Sequence, residues 1–469
     1  MTLLERLRSD VNHASAARTG APSPSSLTSF GVMRQRIHRA AEVLGLPEDM
    51  AEQIAQPRRV IELNLLIEMD DGSRGLFQAW RVQHNSTRAL QGMKGGLKVS
   101  ADQSADETIA LAAGMTIKNS LVGLPLGGAK GAISADPRAL SEGEKERLIR
   151  RYALEISPDL GSPGNWIDVP APDMGTSAKD MAIFADTISR LHGGFTPGVV
   201  TGKPIEIGGI PGRVKATGHG VAHIASLAID LDGARCLVSG FGNVGQFAAT
   251  GVESCGAAVS AIIDPYLGGV LLNPAGISCA ELAYFLGVNG RSATSFVEFA
   301  ENFEGHEVLN VDELLRGLDS MPVDVFLPCA APQSVHSDFA AALVSAGVKI
   351  VVEGANSPLT PSAELVFAAA ATQIVPDVLA NAGGVVCSYL EMSKAASMTL
   401  PTETETLANV SSILTDAWAR TTEYNRRYNG GGGRYCSCSH VARNFLIILR
   451  KRGKFDRVIP GVCAESFNQ

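Results

Sequence analysis

Residues Ala234–Asp264 read ARCLVSGFGNVGQFAATGVESCGAAVSAIID. An apolar run ends at a turn in which Gly240, Gly242 and Gly245 stand at G-x-G-x-x-G spacing, with Asn243 and Val244 between them. A helix-compatible stretch comes next, and then a second apolar run closes on Asp264, 19 positions beyond Gly245. Glycines in such a turn let a pyrophosphate approach the amino terminus of the helix, and a strand-terminal acid accepts hydrogen bonds from the adenosine ribose. No basic residue stands closely after Asp264 to pair a 2′-phosphate, which favours NAD, with NADP possible. Farther on, VDVFLPCA and KIVVEGAN supply two more buried strands, each ending in small or polar residues. Strands alternating with helices imply a parallel sheet with its ligand at the strands' carboxyl ends.

Upstream the texture differs. APSPSSLTS, residues 21–29, reads as a loop. RRVIELNLLIEMDDGSRGLFQAWRVQHN then gives two alternating apolar runs joined at Asp70, Asp71 and Gly72, a hairpin signal. SADETIALAAGMTIKNSL predicts a helix with Ser104 and Glu107 as a capping box, and Ser141 with Glu144 repeats the device before the next helix.

Composition limits what the chain can do. With 469 residues, a net charge of −8, no basic block and no apolar run long enough to cross a bilayer, it has neither the nucleic-acid nor the membrane signature. Its eight cysteines show no CxxC and no zinc spacing, so free thiols are expected and no metal site is. The amino terminus lacks the apolar core of a secretory signal; cytoplasm is the default expectation, and early acids weaken a mitochondrial leader without excluding it.

Chemistry-bearing residues cluster before the glycine turn. LPLGGAKGAI, Leu124–Ile133, sets Lys130 among glycines and apolar residues, a setting for an ammonium brought against a small ligand. Walker A spacing is not met, because Gly131 comes after the lysine, and phosphoryl transfer drops out. Lys94, Lys98 and Lys118 stand nearby in sequence, each of which taken alone reads as surface charge before ligand contact. DVPAPDMGT, Asp168–Thr176, carries carboxylates on a proline-stiffened backbone; Asp173 reads equally as a proton-transfer group or as a helix cap.

Taken together, RVQHN, KGGLKVS, MTIKNSLVGLPLGGAKGAI, DVPAPDMGT, TGKPIEIGG, GRVKATGHGV, SGFGNVG, VVEGAN and PDVLANAGGVVCSYLEM run in order from Arg81 to Met392, about two thirds of the chain. In these motifs the chain resembles the glutamate/leucine/phenylalanine/valine dehydrogenase family. The resemblance implies an α/β fold with an amino-terminal substrate domain, a Rossmann-like dinucleotide-binding domain and a cleft between them. It sets the first domain, for substrate binding and oligomerisation, at residues 1–203, with 430–469 packing back on it, and the second at 204–429. It makes Lys130 the group that polarises the carbonyl and activates water, and Asp173 the proton shuttle to the substrate nitrogen. Lys118 would hold the α-carboxylate. In the family's glutamate-specific members a KGG lysine and a serine after ANAGG grip the side-chain carboxylate, and these positions are Lys94 and Ser388. Thr217, Asn356 and Asn381 match or neighbour coenzyme contacts. His84 and His219 lie in motifs but read as structural hydrogen-bonding residues.

The activity this implies is the reversible oxidative deamination of L-glutamate to 2-oxoglutarate and ammonium, by a homo-oligomer for which the resemblance implies a hexamer. A branched-chain or aromatic amino acid dehydrogenase is the alternative, opposed by Lys94 and Ser388. A non-catalytic sensor of nucleotide or 2-oxoglutarate is the alternative of another class, opposed by the retention of Lys130 and Asp173. The chain departs from the family pattern at Ala132, at Lys98 and in STRALQGMKGG.

Overall fold

The computed structural model describes residues 28–43, 45–85, 92–397 and 399–429. They form two compact units, one built on Met33–Gly220 together with the described residues from Ala382 onward, the other on Val221–Asn381. Residues 204–220 and 382–429, which the sequence reading groups with the dinucleotide domain, lie in the first unit. The expected packing of 430–469 lies outside the described residues.

The first unit holds a five-stranded sheet of β1 (Arg59–Glu68), β2 (Arg74–Asn85), β3 (Met93–Ser100), β4 (Gly127–Ser134) and β5 (Asp168–Pro172), in the order β1-β2-β4-β3-β5. The hairpin read from sequence is present: β1 and β2 pair antiparallel from Arg59↔Gln83 to Glu68↔Arg74, and Gly72 takes a φ of +82° in the turn. Strand β4 runs antiparallel to β2 and parallel to β3, which is itself parallel to β5.

Side chains alternate across these strands, so the two faces differ. On one, Leu97, Val99 and Ile133 pack with Tyr152 of helix α2 (Glu142–Ile156) and Phe184 of helix α3 (Ala178–His192) in a buried apolar core. The other face meets helix α1 (Ala105–Leu121). The Ser141–Glu144 capping box is complete: Glu144 N donates to Ser141 Oγ and Ser141 N to the Glu144 carboxylate. At α1 only half the expected box forms. Ser104 Oγ accepts from Glu107 N, but the Glu107 carboxylate is taken by Lys98 at 2.9 Å and by Gln103. A charge-assisted bond to a half-buried lysine outcompetes a backbone N–H.

The second unit contains a seven-stranded sheet. In chain order its strands are β6 (Arg235–Ser239), β7 (Ala258–Asp264), β8 (Gly269–Leu272), β9 (Glu307–Leu309), β10 (Val325–Pro328), β11 (Ile350–Val352) and β12 (Gln373–Val375), arranged β9-β8-β7-β6-β10-β11-β12. Five strands are parallel, as the alternation of strands and helices predicts. Strand β8 alone is reversed: it pairs antiparallel with both β7 and β9, so β9 again runs in the direction of the other five, and the expected parallel sheet carries one antiparallel strand. The link Pro265–Gly268 is too short for a crossover and allows only a hairpin return. The sheet reverses its winding at β6, between β7 and β10, and the crevice at the carboxyl ends there is where doubly wound sheets bind ligands.

Candidate active site

Strand β4 explains the glycines around Lys130. A Cβ on Gly128 would lie 2.2 Å from Thr116 N, so this glycine lets α1 cross the strand closely. Gly128 N donates to Thr116 Oγ1, whose hydroxyl also bonds His84 Nδ1. On the opposite face a Cβ on Gly131 would strike Tyr152 Oη at 2.5 Å and approach Arg81 Nη1 at 3.2 Å. Arg81 passes beneath two strands to form a buried bidentate pair with Asp168, and its Nη1 also donates to Gly95 O. Burial disfavours its charge, but the Asp168 carboxylate more than offsets this and holds the Arg81 pKa above the ordinary guanidinium value.

With those neighbours filled, Lys130 is nearly buried and its Nζ donates to Asp173 Oδ2 at 2.6 Å. A Cβ on Gly96 would fall 2.6 Å from the same oxygen, so this glycine, two positions beyond Lys94, makes room for the acid. Asp173 keeps 30% of its side-chain surface exposed and is not a helix cap, since α3 starts at Ala178 with Ser177 as its cap. Burial pushes the Asp173 carboxyl up, but the Lys130 ammonium and the Met174 N–H outweigh it and hold the pKa below the usual range.

Lys94 pairs with Gly128 in the β3–β4 register, which sets its side chain on the same face as Lys130. It is 1% exposed, and its Nζ donates to Thr201 Oγ1 at 2.5 Å and to the carbonyls of Val169 and Pro170 at 3.3 and 3.4 Å. Burial pushes the Lys94 pKa down to about 7, with Glu391 opposing and Arg81, Arg213 and Lys203 adding to the fall. Ser388 is buried on helix α5 (Gly383–Ser397), which comes after the short helix α4 (Asp377–Ala380). Lys118 is half-buried on α1, two positions beyond Thr116. Thus Lys94, Lys130 and Asp173 share one strand face, whereas Lys118 and Ser388 come from helices of the same unit.

Several residues here escape a reading of the sequence. Glu391 and Lys203 form an ion pair whose side chains are 1% and 0% exposed. Arg213, inside GRVKATG, approaches Gly384 and carries a buried Nε with no hydrogen-bond partner. Only their position inside quoted motifs could have signalled them, because a sequence separation of 188 residues hides the contact of Lys203 with Glu391. The two histidines behave as read: His84 uses both ring nitrogens, on Thr116 and on Ala55 O, with burial pushing it down to about 4, and His219 Nε2 bonds Ser411 Oγ.

At the other sheet, Gly240 has a φ of +86° and a Cβ there would fall 2.6 Å from Ala330, while a Cβ on Gly245 would meet Gly240 O at 1.7 Å. Gly242 is different: its φ is −72° and a Cβ there would meet no atom of the described residues within 4 Å. It opens the helix Asn243–Ser254, whose first residues include Val244. Asp264, at the end of β7, accepts from Phe241 N at 2.8 Å and Tyr266 N at 3.0 Å, fixing the loop's shape. Asn381 Nδ2 donates to Gly354 O and to Asn356 Oδ1, joining two of the expected coenzyme residues. Thr217 faces Gly384 in the first unit, 2.7 Å from where a Cβ would stand. No base stands near Asp264 in sequence, but Arg291 reaches the loop and donates to Phe241 O and Gln246 Oε1. An open glycine before a twelve-residue helix, beside a strand-terminal carboxylate, fits a dinucleotide.

A strand-borne lysine–aspartate pair in one unit and a glycine loop at a sheet's winding reversal in the other define a nucleotide-dependent dehydrogenase of amino acids. The chain belongs to the Glutamate/Leucine/Phenylalanine/Valine dehydrogenase family: the model of that name matches residues 208–443, and the family's dimerisation-domain model matches 57–190. It is 40% identical over 363 residues to the glutamate dehydrogenase of Thermotoga maritima, covering 76% of this chain and 82% of that one. To the NADP(+)-dependent glutamate dehydrogenase of Pyrobaculum calidifontis it is 39% identical, with 82% and 89% covered. Among solved structures it resembles the glutamate dehydrogenase of Peptoniphilus asaccharolyticus (TM-score 0.76, 30% identity, 91% and 100% covered). It also resembles the hetero-hexameric enzyme of Thermus thermophilus in its leucine-bound form (TM-score 0.78, 29% identity, 95% and 100% covered).

Proposed function

We propose that the chain catalyses the reversible conversion of L-glutamate, water and NAD(P)+ to 2-oxoglutarate, ammonium, NAD(P)H and a proton. The observation that carries this is the 2.6 Å Lys130–Asp173 pair on the same strand face as buried Lys94. The nicotinamide, when bound, supplies the two-electron acceptor. On the protein's side, Lys94 and Ser388 bind the side-chain carboxylate and Lys118 the α-carboxylate, orienting Cα. Asp173, held ionised by Lys130, takes the proton from the substrate ammonium and later returns one to the departing amine. Lys130 activates the water that adds at Cα and, in the reverse direction, polarises the carbonyl of the keto acid. Asp264 and the backbone of Gly240–Gly245, with Thr217, Asn356 and Asn381, hold the dinucleotide, and relatives described as NAD-specific and NADP-specific both support the class.

A hetero-hexameric neighbour supports a six-subunit assembly, which we propose this chain builds from copies of itself. No helix among the described residues is long and apolar enough to cross a membrane. Measuring nicotinamide absorbance with purified protein, glutamate against leucine and NAD against NADP, tests the reading: turnover of leucine without turnover of glutamate overturns it.

A further inference from the structure

Lys94 and Ser388 stand almost three hundred residues apart in sequence, yet gripping one carboxylate needs a fixed separation between them. The segment Val200–Lys203 supplies a bridge. Thr201 N donates to Pro170 O at 3.0 Å, and Thr201 Oγ1 accepts from Lys94 Nζ. Gly202, at a φ of +77°, sits so close to Pro172 that a Cβ would fall 2.4 Å from its ring, so the segment lies flat on the end of β5. Its other side is held by α5. Glu391 Oε2 accepts from Gly202 N at 2.8 Å, and Oε1 takes Lys203 Nζ at 2.6 Å; Lys203 also donates to Val200 O. Three positions on, Lys394 Nζ donates to Gly209 O at 2.7 Å. Ser388, Glu391 and Lys394 recur at intervals of three and lie along one side of the helix.

A buried ion pair is a poor source of stability, because removing two charges from water costs about what their attraction returns. What it does provide is one register, since a charged pair with its remaining lone pairs bonded has no equivalent slipped arrangement. We propose that Glu391 is a positioning residue: by clasping Val200–Lys203 to α5 it fixes the spacing of Lys94 and Ser388 and thereby sets the preference for a side-chain carboxylate. It also provides a buried negative charge that pairs with Lys203 and opposes, at Lys94, the like charges of Arg81, Arg213 and Lys203. The inference rests on the substrate reading above.

The test is Glu391→Gln, assayed with L-glutamate and with norvaline, which keeps the carbon chain but ends in a methyl group. Expected is a rise of about tenfold or more in KM for glutamate, a fall of less than about threefold in kcat, an unchanged KM for coenzyme, and a drop of about tenfold in the glutamate-over-norvaline ratio. The pH above which KM for glutamate climbs moves downward, since the carboxylate that favours the Lys94 ammonium is gone. Unchanged selectivity and pH profile in a folded Glu391→Gln protein overturn the inference, whatever its melting temperature does. If that variant fails to fold, the apolar pair Lys203→Met/Glu391→Leu decides: retained selectivity overturns the proposal and lost selectivity supports it. Lys94→Met separates the two readings. Should it keep its selectivity, the assignment of Lys94 itself fails; should it lose selectivity while Glu391→Gln does not, only the positioning role fails.

Discussion

The two glycine-rich stretches, Gly127–Gly131 on β4 and Gly240–Gly245 after β6, look alike in sequence and differ in what their glycines face. On β4 the protein itself fills the space: α1 backbone against Gly128, Tyr152 and Arg81 against Gly131. In the loop after β6, Gly240 and Gly245 are required by the chain's own packing, but a Cβ on Gly242 would meet no atom of the described residues within 4 Å, and its φ is ordinary. A glycine that the fold demands brings side chains together; one that the fold does not demand leaves room for something else. In the first stretch glycine builds the site indirectly, by seating α1, Tyr152 and Arg81 around the strand that carries Lys130, while Gly96 on β3 makes room for Asp173. In the second it is part of the binding surface.

The largest effect separating the stretches belongs to Lys130→Ala. Stopped-flow and steady-state assays are expected to give a kcat lower by roughly a hundred- to ten-thousandfold, with NAD(H) titration by fluorescence unchanged. Lys94→Met probes the same strand face through stability. Folding lowers the Lys94 pKa from its ordinary 10.5 to about 7, so between those values the unfolded chain holds a proton that the folded chain lacks. Below about 7 both states are protonated and the fold bears the full cost of burying the charge; the penalty shrinks as pH rises to 10.5, where both states are neutral. Stability contributed by the lysine rises with pH across that window, because the unfolded state binds more protons there. Melts of Lys94→Met are expected to exceed the parent at pH 6 by an amount on the order of a few kcal/mol that shrinks steadily toward pH 10. A gain independent of pH would contradict this.

Gly128→Ala ranks third, at about 1–3 kcal/mol of lost stability, because a Cβ there meets helix backbone that cannot yield cheaply. Calorimetry measures it. Gly242→Ala is expected to leave the melting temperature of the free protein unchanged while weakening NAD(H) about tenfold by intruding where the pyrophosphate approaches. If Gly242→Ala instead destabilises the free protein and leaves nucleotide affinity intact, the contrast between the two stretches is broken.

Much of the architecture is legible in the sequence. The β1–β2 hairpin, the strand–glycine–helix–strand unit ending at Asp264 and the complete capping box at Ser141 derive from local patterns: alternation, turn residues and cap spacing. The antiparallel return at Gly269 is hidden because a strand's direction depends on the length of the link before it, not on its own composition. Lys98 draws Glu107 away from the α1 cap through a tertiary contact that no spacing rule encodes. At the active site the motifs mark Lys130, Asp173 and Lys94, but not the partners that hold them. Thr201, Glu391 and Arg291 bond to Lys94, Gly202 and Gln246 across separations of 107, 189 and 45 residues, where sequence carries no geometric information.

Arg81 has a last consequence. Because its guanidinium runs under β4 and β3 to reach Asp168, it fills, together with the Tyr152 hydroxyl, the space in front of Gly131, so that glycine is held by side chains and not by a turn or a ligand. In a saturation library Gly131 should tolerate almost nothing in the parent background. It should begin to accept alanine once Arg81 and Tyr152 are both shortened, a dependence between distant positions that would look like coevolution and is simply shared volume.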